Sequence, residues 1–204
     1  MSPQTVPARL PRGRHGLRRE EVVRSQRDRM LRALAQTMAD KGYVATTVAD
    51  ILRAAGVSRE TFYEQFKSKE DCFAHAYEAA AGILLAGLSE TQAGDGDPLD
   101  RLGRTLSVYL DTLAAESEFA RLFLVEVYAA GPEALARRAA VQRAFVDLVT
   151  DGLGARTAED RFACEAFVAA TSSMVTTRLA ANDLDGLRAL HRPLLRLAGR
   201  LFAA

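Results

Sequence analysis

The stretch Thr47–Lys69, TVADILRAAGVSRETFYEQFKSK, decides the fold. Thr47 precedes Val48, Ile51, Leu52 and Ala55, which are apolar at helical spacing. Thr47 suits an N-cap, and Asp50, three residues on, makes a capping-box variant. Gly56 ends this helix, because glycine enters the left-handed region without steric penalty. Val57 fills the angle that follows. Ser58 is a second N-cap, and Glu60 in the next first turn is favoured by the helix dipole. The second helix buries Phe62 and Phe66, one turn apart, and turns Arg59, Glu60, Thr61, Tyr63, Glu64 and Lys67 outward. Two short helices joined by a three-residue turn are the layout of a helix-turn-helix that grips DNA.

Ser68 caps a third helix with Glu70 and Asp71 in its first turn, and Lys69 is out of place there. A cation at a helix N-terminus opposes the dipole and costs a few tenths of a kcal/mol unless an anion is present. A phosphate would turn that cost into a binding site, with the free amides as further donors.

The chain has 204 residues, enough for one or two domains with a core, and 49% of them are hydrophobic, which excludes a disordered chain. Apolar runs such as Ala79–Leu88 are too short to span a bilayer, and the N-terminus has no apolar signal core. A cytoplasmic protein with no membrane partner is expected. Cys72 and Cys164 follow no metal spacing and read as free buried thiols in a reducing compartment. The net charge of +1 conceals an asymmetry: residues 1–70 carry +6 and residues 71–204 carry −5. A basic N-terminal third on an acidic body points to one surface meant for a polyanion.

Working outward, residues 1–19 hold three prolines, two glycines and five arginines with no hydrophobic period. They form a basic arm, either a disordered tail or one that places Arg9, Arg12 and Arg14 in a minor groove. A first helix over about Glu20–Lys41 presents Val23, Met30, Leu31, Leu34, Ala35 and Met38 on one face. Gly42 ends it and Tyr43 packs beneath the turn. This helix completes a helix-turn-helix domain at 20–68. A long helix covers Lys69 to about Thr91, and the AGDGDP segment, Ala93–Pro98, breaks the pattern. Further segments fit about 98–115, 117–129, 132–152, 157–181 and 185–202, with Pro193 kinking or starting the last. No alternating β pattern of useful length occurs. The expected fold is all-α with about nine helices: a three-helix head and a helical body at 69–204.

The small-residue segment Arg161–Ala181 suits close helix approach, either between two copies or inside one bundle. The last helix carries Leu187, Leu190, Leu194, Leu197, Leu201 and Phe202, an apolar stripe wide enough to ask for a partner. A homodimer through these two helices is expected.

The Thr47–Phe73 region and the helix before it resemble the tetracycline-repressor (TetR) family of transcriptional regulators. The match lies in Thr46-Thr47, the turn Ala54-Ala55-Gly56-Val57-Ser58, Thr61-Phe62-Tyr63, Phe66 and Lys67-Ser68-Lys69-Glu70. The resemblance implies phosphate contacts at Thr47, Thr61 and Lys69. It implies base reading by Arg59 and Glu60 and an aromatic contact with backbone and a thymine methyl by Tyr63. Gln65 stands where the family often has histidine and can donate to phosphate through its amide. Glu64 is an acid at a position that is often neutral or basic; it or Glu60 would accept from a cytosine amine.

The resemblance further implies a homodimer on a palindromic DNA operator and a small-molecule effector held among the body helices. Candidate lining residues are Phe73, Tyr77, Tyr109, Leu113, Phe123, Glu126, Phe145, Phe167, Thr171 and Met174, each of which also fits a plain core. Glu126, an acid within LFLVEVY, needs a partner: an arginine from a neighbouring helix, or a solvent-lined cavity. The function implied is a ligand-responsive transcriptional regulator, more readily a repressor, with no cofactor and no metal. The alternatives are a helical enzyme or carrier acting on a small apolar metabolite, and a non-specific nucleoid-type protein. Against catalysis, His15, His75 and His191 are isolated, and no nucleophile-elbow or phosphate-loop motif occurs. Against a nucleoid protein stands the near-neutral total charge.

Overall fold

Gly42 sits at φ 80 and ψ 163, outside the helical region, and there the first helix kinks. The computed structural model describes residues 19–92 and 96–202, and the basic arm with Arg9, Arg12, Arg14 and His15 lies outside them. Helix α1 runs Arg19–Ala45 across that kink, α2 is Val48–Ala55 and α3 is Arg59–Tyr63. Met30, Leu34, Ala35 and Met38 of α1 are buried against Ile51 of α2 and Phe62 of α3, the core of the head. The body comprises α4 (Lys69–Gln92), α5 (Pro98–Ala115), α6 (Ser117–Leu124) and a 3-10 turn (Glu126–Ala129). It continues with α7 (Pro132–Leu153), α8 (Ala158–Ala180), α9 (Leu184–Ala189) and α10 (His191–Phe202). Among the described residues there is no strand.

The boundaries follow from capping chemistry. Asp97 accepts from Leu99 N–H and Pro98 opens α5. Thr157 and Asp160 form a full capping box at α8, and its hydrogen bonds hold the Asp160 carboxyl below its ordinary pKa. Gly154 ends α7 at φ 66.

Three segments differ from the sequence reading. The second motif helix stops at Tyr63, so Phe66 is buried from the turn beyond it. The stretch 117–129 is one α-helix followed by a tighter 3-10 turn, and the change at Val125 aims Glu126 at the kink of α1. The stretch 185–202 divides at Leu190 into α9 and α10. Pro193 lies in the first turn of α10, where its missing N–H leaves no bond unmade.

The apolar stripe of the last segment is mostly covered by the chain itself. Leu187, Leu190 and Leu194 are buried, α10 packs on α5, and only Leu201 stands out, 44% exposed. The C-terminal helix therefore needs no second copy to hide that stripe.

Helix α4 is long and apolar enough to cross a membrane by length and composition. It contacts α1, α5, α6 and α7, and its buried residues include Phe73, Tyr77, Leu84 and Leu88. That placement is the core helix of a bundle. Cys72 and Cys164 are both free and buried, and burial pushes the Cys72 thiol up to about 12 and Cys164 upward too.

Candidate nucleic-acid interface and internal cavity

The head presents its second motif helix on a rigid frame. Thr47 accepts from the Asp50 N–H, and the Asp50 carboxylate accepts from the Thr47 N–H at 2.9 Å and hydroxyl at 2.6 Å. Lys41 and Arg53 flank the same carboxylate, and the Lys41 bond, first among the causes, depresses its pKa. Gly56 closes α2 at φ 62, and its N–H donates to Leu52. Ser58 then caps α3 by accepting from the Thr61 N–H at 3.1 Å, while its hydroxyl and that of Thr61 lie 2.9 Å apart. Phe62 and Phe66 are fully buried. On the other side Arg59, Glu60, Tyr63, Glu64 and Lys67 are exposed. The Arg59 guanidinium lies over the Tyr63 ring, 5.6 Å from its centroid. The face assigned to base reading is thus free and already organised.

Two residues behave differently from expectation. The Gln65 amide reaches back to the Val23 carbonyl at 3.4 Å and its Oε1 is buried with no protein partner, so it braces α1 rather than pointing outward. The Lys69 ammonium donates to the Tyr43 carbonyl at 2.9 Å and the Thr46 carbonyl at 3.0 Å, and sits 4.0 Å from the Tyr43 ring centroid. These carbonyls and the ring supply the negative potential that the sequence reading gave to a phosphate. An ammonium has three donors, and two are engaged here.

Tyr43 is therefore held on every side. Its ring packs edge-on against Phe73 at 5.4 Å, and its hydroxyl donates to Glu70 at 3.2 Å. Its N–H donates to Glu126 Oε2 at 2.6 Å. Glu126, expected in the effector cavity, instead joins the body to the head at the α1 kink. Its partner is a backbone amide rather than an arginine, a pairing that no side-chain pattern reveals.

An internal cavity lies among α4, α5, α6, α7 and α8. Of the expected residues it brings together Tyr77, Tyr109, Leu113, Phe123, Phe145, Phe167 and Thr171. Phe73 packs on Tyr43 and Tyr77 instead, one turn toward the head. Met174 lies on the surface, 44% exposed, at the edge of the buried stripe that Phe167, Thr171, Val175 and Leu179 form along α8. Tyr77 stacks on Phe123 at 4.2 Å and 3°, and the Tyr109 and Phe145 rings meet edge-on at 5.7 Å. Burial, above all, raises the pKa of both Tyr77 and Tyr109, so both phenols stay neutral donors. The sequence reading missed the polar members of the lining, Thr105, Arg138, Gln142 and Ser172. The signal available was the pair Arg137-Arg138 on a helix whose neighbouring turns are apolar.

The geometry is thus a capped helix-turn-helix with an exposed polar face, set on a helical body with an apolar cavity. Residues 30–76 match the family model of bacterial regulatory proteins, tetR family. The HTH-type transcriptional activator FasR of Mycolicibacterium smegmatis is 26% identical over 126 residues, 62% of this chain and 58% of that protein. The match thus spans less than two thirds of that relative's length. The fatty acid degradation regulator FadR of Bacillus halodurans superposes with a TM-score of 0.75 at 23% identity, covering 84% of this chain and 93% of that one. FadR of Bacillus subtilis, solved in complex with stearoyl-CoA, gives 0.73 at 21% identity over 86% and 97% of the two chains. At these identities the structural likeness establishes the fold. The relatives are named as DNA-binding regulators and not as enzymes.

Proposed function

We propose that the protein is a ligand-responsive transcriptional repressor that binds a palindromic operator as a cytoplasmic homodimer. Residues 20–68 read the DNA, and residues 69–204 hold the effector and the partner copy. The observation that carries this reading is the exposed Arg59–Tyr63 pair at the start of a recognition helix whose N-cap and buried face are fully formed. N-terminal residues of such a helix reach base edges in the major groove. Arginine suits the two acceptors of guanine and a tyrosine ring the thymine methyl. Thr47, Glu60, Thr61 and Lys69 border that face, Lys69 through its remaining donor.

Dimerisation is assigned to α8, where Phe162 is 71% exposed and Ala166, Ala169, Ser173 and Ala180 continue its face at helical spacing. The effector is a small molecule whose apolar part occupies the internal cavity. The complex of Bacillus subtilis FadR with stearoyl-CoA supports a fatty acyl compound as the first candidate.

Selection of bound sites from random duplex DNA tests the reading. The expected product is a two-fold site with half-sites about one DNA turn, roughly 34 Å, apart. Stearoyl-CoA is then titrated against the complex, with release expected. Binding without sequence preference would place the protein among non-specific DNA coats.

A further inference from the structure

Arg138 is a partly buried cation beside an apolar cavity, and no carboxylate lies within 4.0 Å of it among the described residues. Its neighbour Arg137 contrasts with it, forming an ion pair with Glu78. Arg138 makes one bond to Gln142 Oε1 and one to Ser172 Oγ, both at 3.0 Å, and lies over the Tyr128 ring at 5.0 Å. These neutral acceptors use two of its five N–H donors, and its buried Nε has no protein partner. Two further buried groups in the same lining, Tyr77 Oη and Thr171 Oγ1, have no protein partner either. Buried polar groups are ordinarily paired, so three unpaired donors on residues that line one cavity call for an acceptor. On its outer side Arg138 also borders a polar groove with Ser172, Ser173, Thr176 and Thr177. Apart from Thr105, paired with Thr91 and Gln92, and the Tyr109 phenol, the remaining wall is hydrocarbon, for example Leu84, Leu102, Leu148 and Val149.

We infer that the effector is an amphiphilic anion: its apolar body fills the cavity and its anionic group lies against Arg138, with the Tyr77 and Thr171 hydroxyls donating to it. This rests on the cavity being the effector site. A guanidinium recognises carboxylate and phosphate alike through paired N–H donors.

Calorimetric titration of the full chain with decanoate, decyl phosphate and decanol tests the inference. These probes share one apolar chain and differ only in the head. At least one anion is expected to bind roughly ten- to hundredfold tighter than decanol, the range of a charge-assisted hydrogen bond. In Arg138→Gln that preference disappears, and decanol binding that persists, with an unchanged helical circular-dichroism signal, certifies that the cavity remains folded. Arg138→Lys keeps the charge and retains part of the preference. Decanoate favoured over decyl phosphate assigns a carboxylate head, and the reverse a phosphate. Equal affinity of anions and alcohol, or a preference that survives Arg138→Gln, overturns the anchor but leaves the cavity as effector site. Failure of all three probes to bind overturns both.

Discussion

The Glu126 carboxylate accepts a hydrogen bond from the Tyr43 backbone N–H at 2.6 Å, across 83 residues of sequence. Glu126 follows Phe123 by three residues, and Phe123 stacks on Tyr77 in the cavity wall. Tyr43 lies next to Gly42, where α1 kinks toward the helix-turn-helix. A cavity-lining ring and the hinge of the DNA-binding head are thus joined by one short segment and one charge-assisted bond.

Glu126→Ala leaves the Tyr43 amide without its acceptor. The variant is expected to lose about 1–3 kcal/mol of stability, the cost of an unpaired partly buried donor. Hydrogen exchange at the Tyr43 amide should accelerate. Glu126→Gln, which can still accept, should lie between wild type and alanine. Unchanged melting and unchanged exchange in the alanine variant would remove this bond from the head–body junction.

Lys69 separates two roles that its sequence position conflates. Lys69→Ala strips donors from the Tyr43 and Thr46 carbonyls and removes a cation from the DNA face. Stability should fall by about 1–3 kcal/mol, and binding should weaken on all DNA sequences alike, with the salt slope lower by about one unit. Lys69→Gln keeps an N–H donor without the charge, so it should recover stability but not the slope. A slope unchanged in both variants would restrict Lys69 to bracing the kink.

Arg59 carries the prediction on specificity. Arg59→Ala should cost about 1–3 kcal/mol on the selected palindrome and much less on random DNA, both measured at one fixed salt concentration. Equal losses would make Arg59 a phosphate contact. No loss on either DNA would mean that α3 does not enter the groove.

The helix-turn-helix was legible in the sequence because its determinants are local. Thr47, Asp50, Gly56 and Ser58 act within a turn of their own positions, and Phe62 and Phe66 declare the buried face by spacing alone. Helix boundaries were legible for the same reason, except where packing decided them, at Val125 and Leu190. The cavity was only partly legible. Periodicity identifies Tyr77, Tyr109 and Phe167 as inward-facing, but it does not separate cavity wall from plain core. Glu126 was misread, and the carbonyl partners of Lys69 were not foreseen, because those partners are backbone atoms 83 and 26 or 23 residues away. Backbone acceptors and donors are present at every residue and leave no trace in side-chain pattern. Arg138 was missed because the absence of an acidic partner is a property of three-dimensional surroundings.

The proposed dimer is assigned to α8. Light scattering at micromolar concentration is expected to give a dimer, since a two-fold contact pairs the same patch on both copies. Phe162→Glu places a charge on the largest apolar side chain of the exposed stripe, at its N-terminal end, and should shift the protein to monomer without lowering helicity. It should also weaken operator binding more than binding to a half-site. A wild-type monomer, or a dimer untouched by Phe162→Glu, would place the interface elsewhere.

The last prediction concerns pH, through the pair of Tyr43 and Glu70. Burial, followed by the charge of Glu70 and its hydrogen bond, pushes the Tyr43 phenol up to about 12. The folded protein therefore favours the protonated phenol. That contribution is complete below the ordinary tyrosine value near 10 and fades as pH rises toward 12. Glu70 behaves in the opposite sense. Its hydrogen bonds, led by its own backbone N–H and the Ser68 hydroxyl, hold its pKa below the ordinary 4.5. Its contribution is complete above that value and is lost as pH falls through the lowered one. Thermal melting of wild type and Tyr43→Phe at a series of pH values separates the phenol from the rest. Cys72, Tyr77 and Tyr109 are also raised, so both proteins should lose stability in strong alkali. The stability gap between wild type and Tyr43→Phe should be constant from pH 7 to 9 and close between about 10 and 12. A gap that stays constant through pH 12 would mean that the phenol stands in water and does not hold the α1 kink against α4.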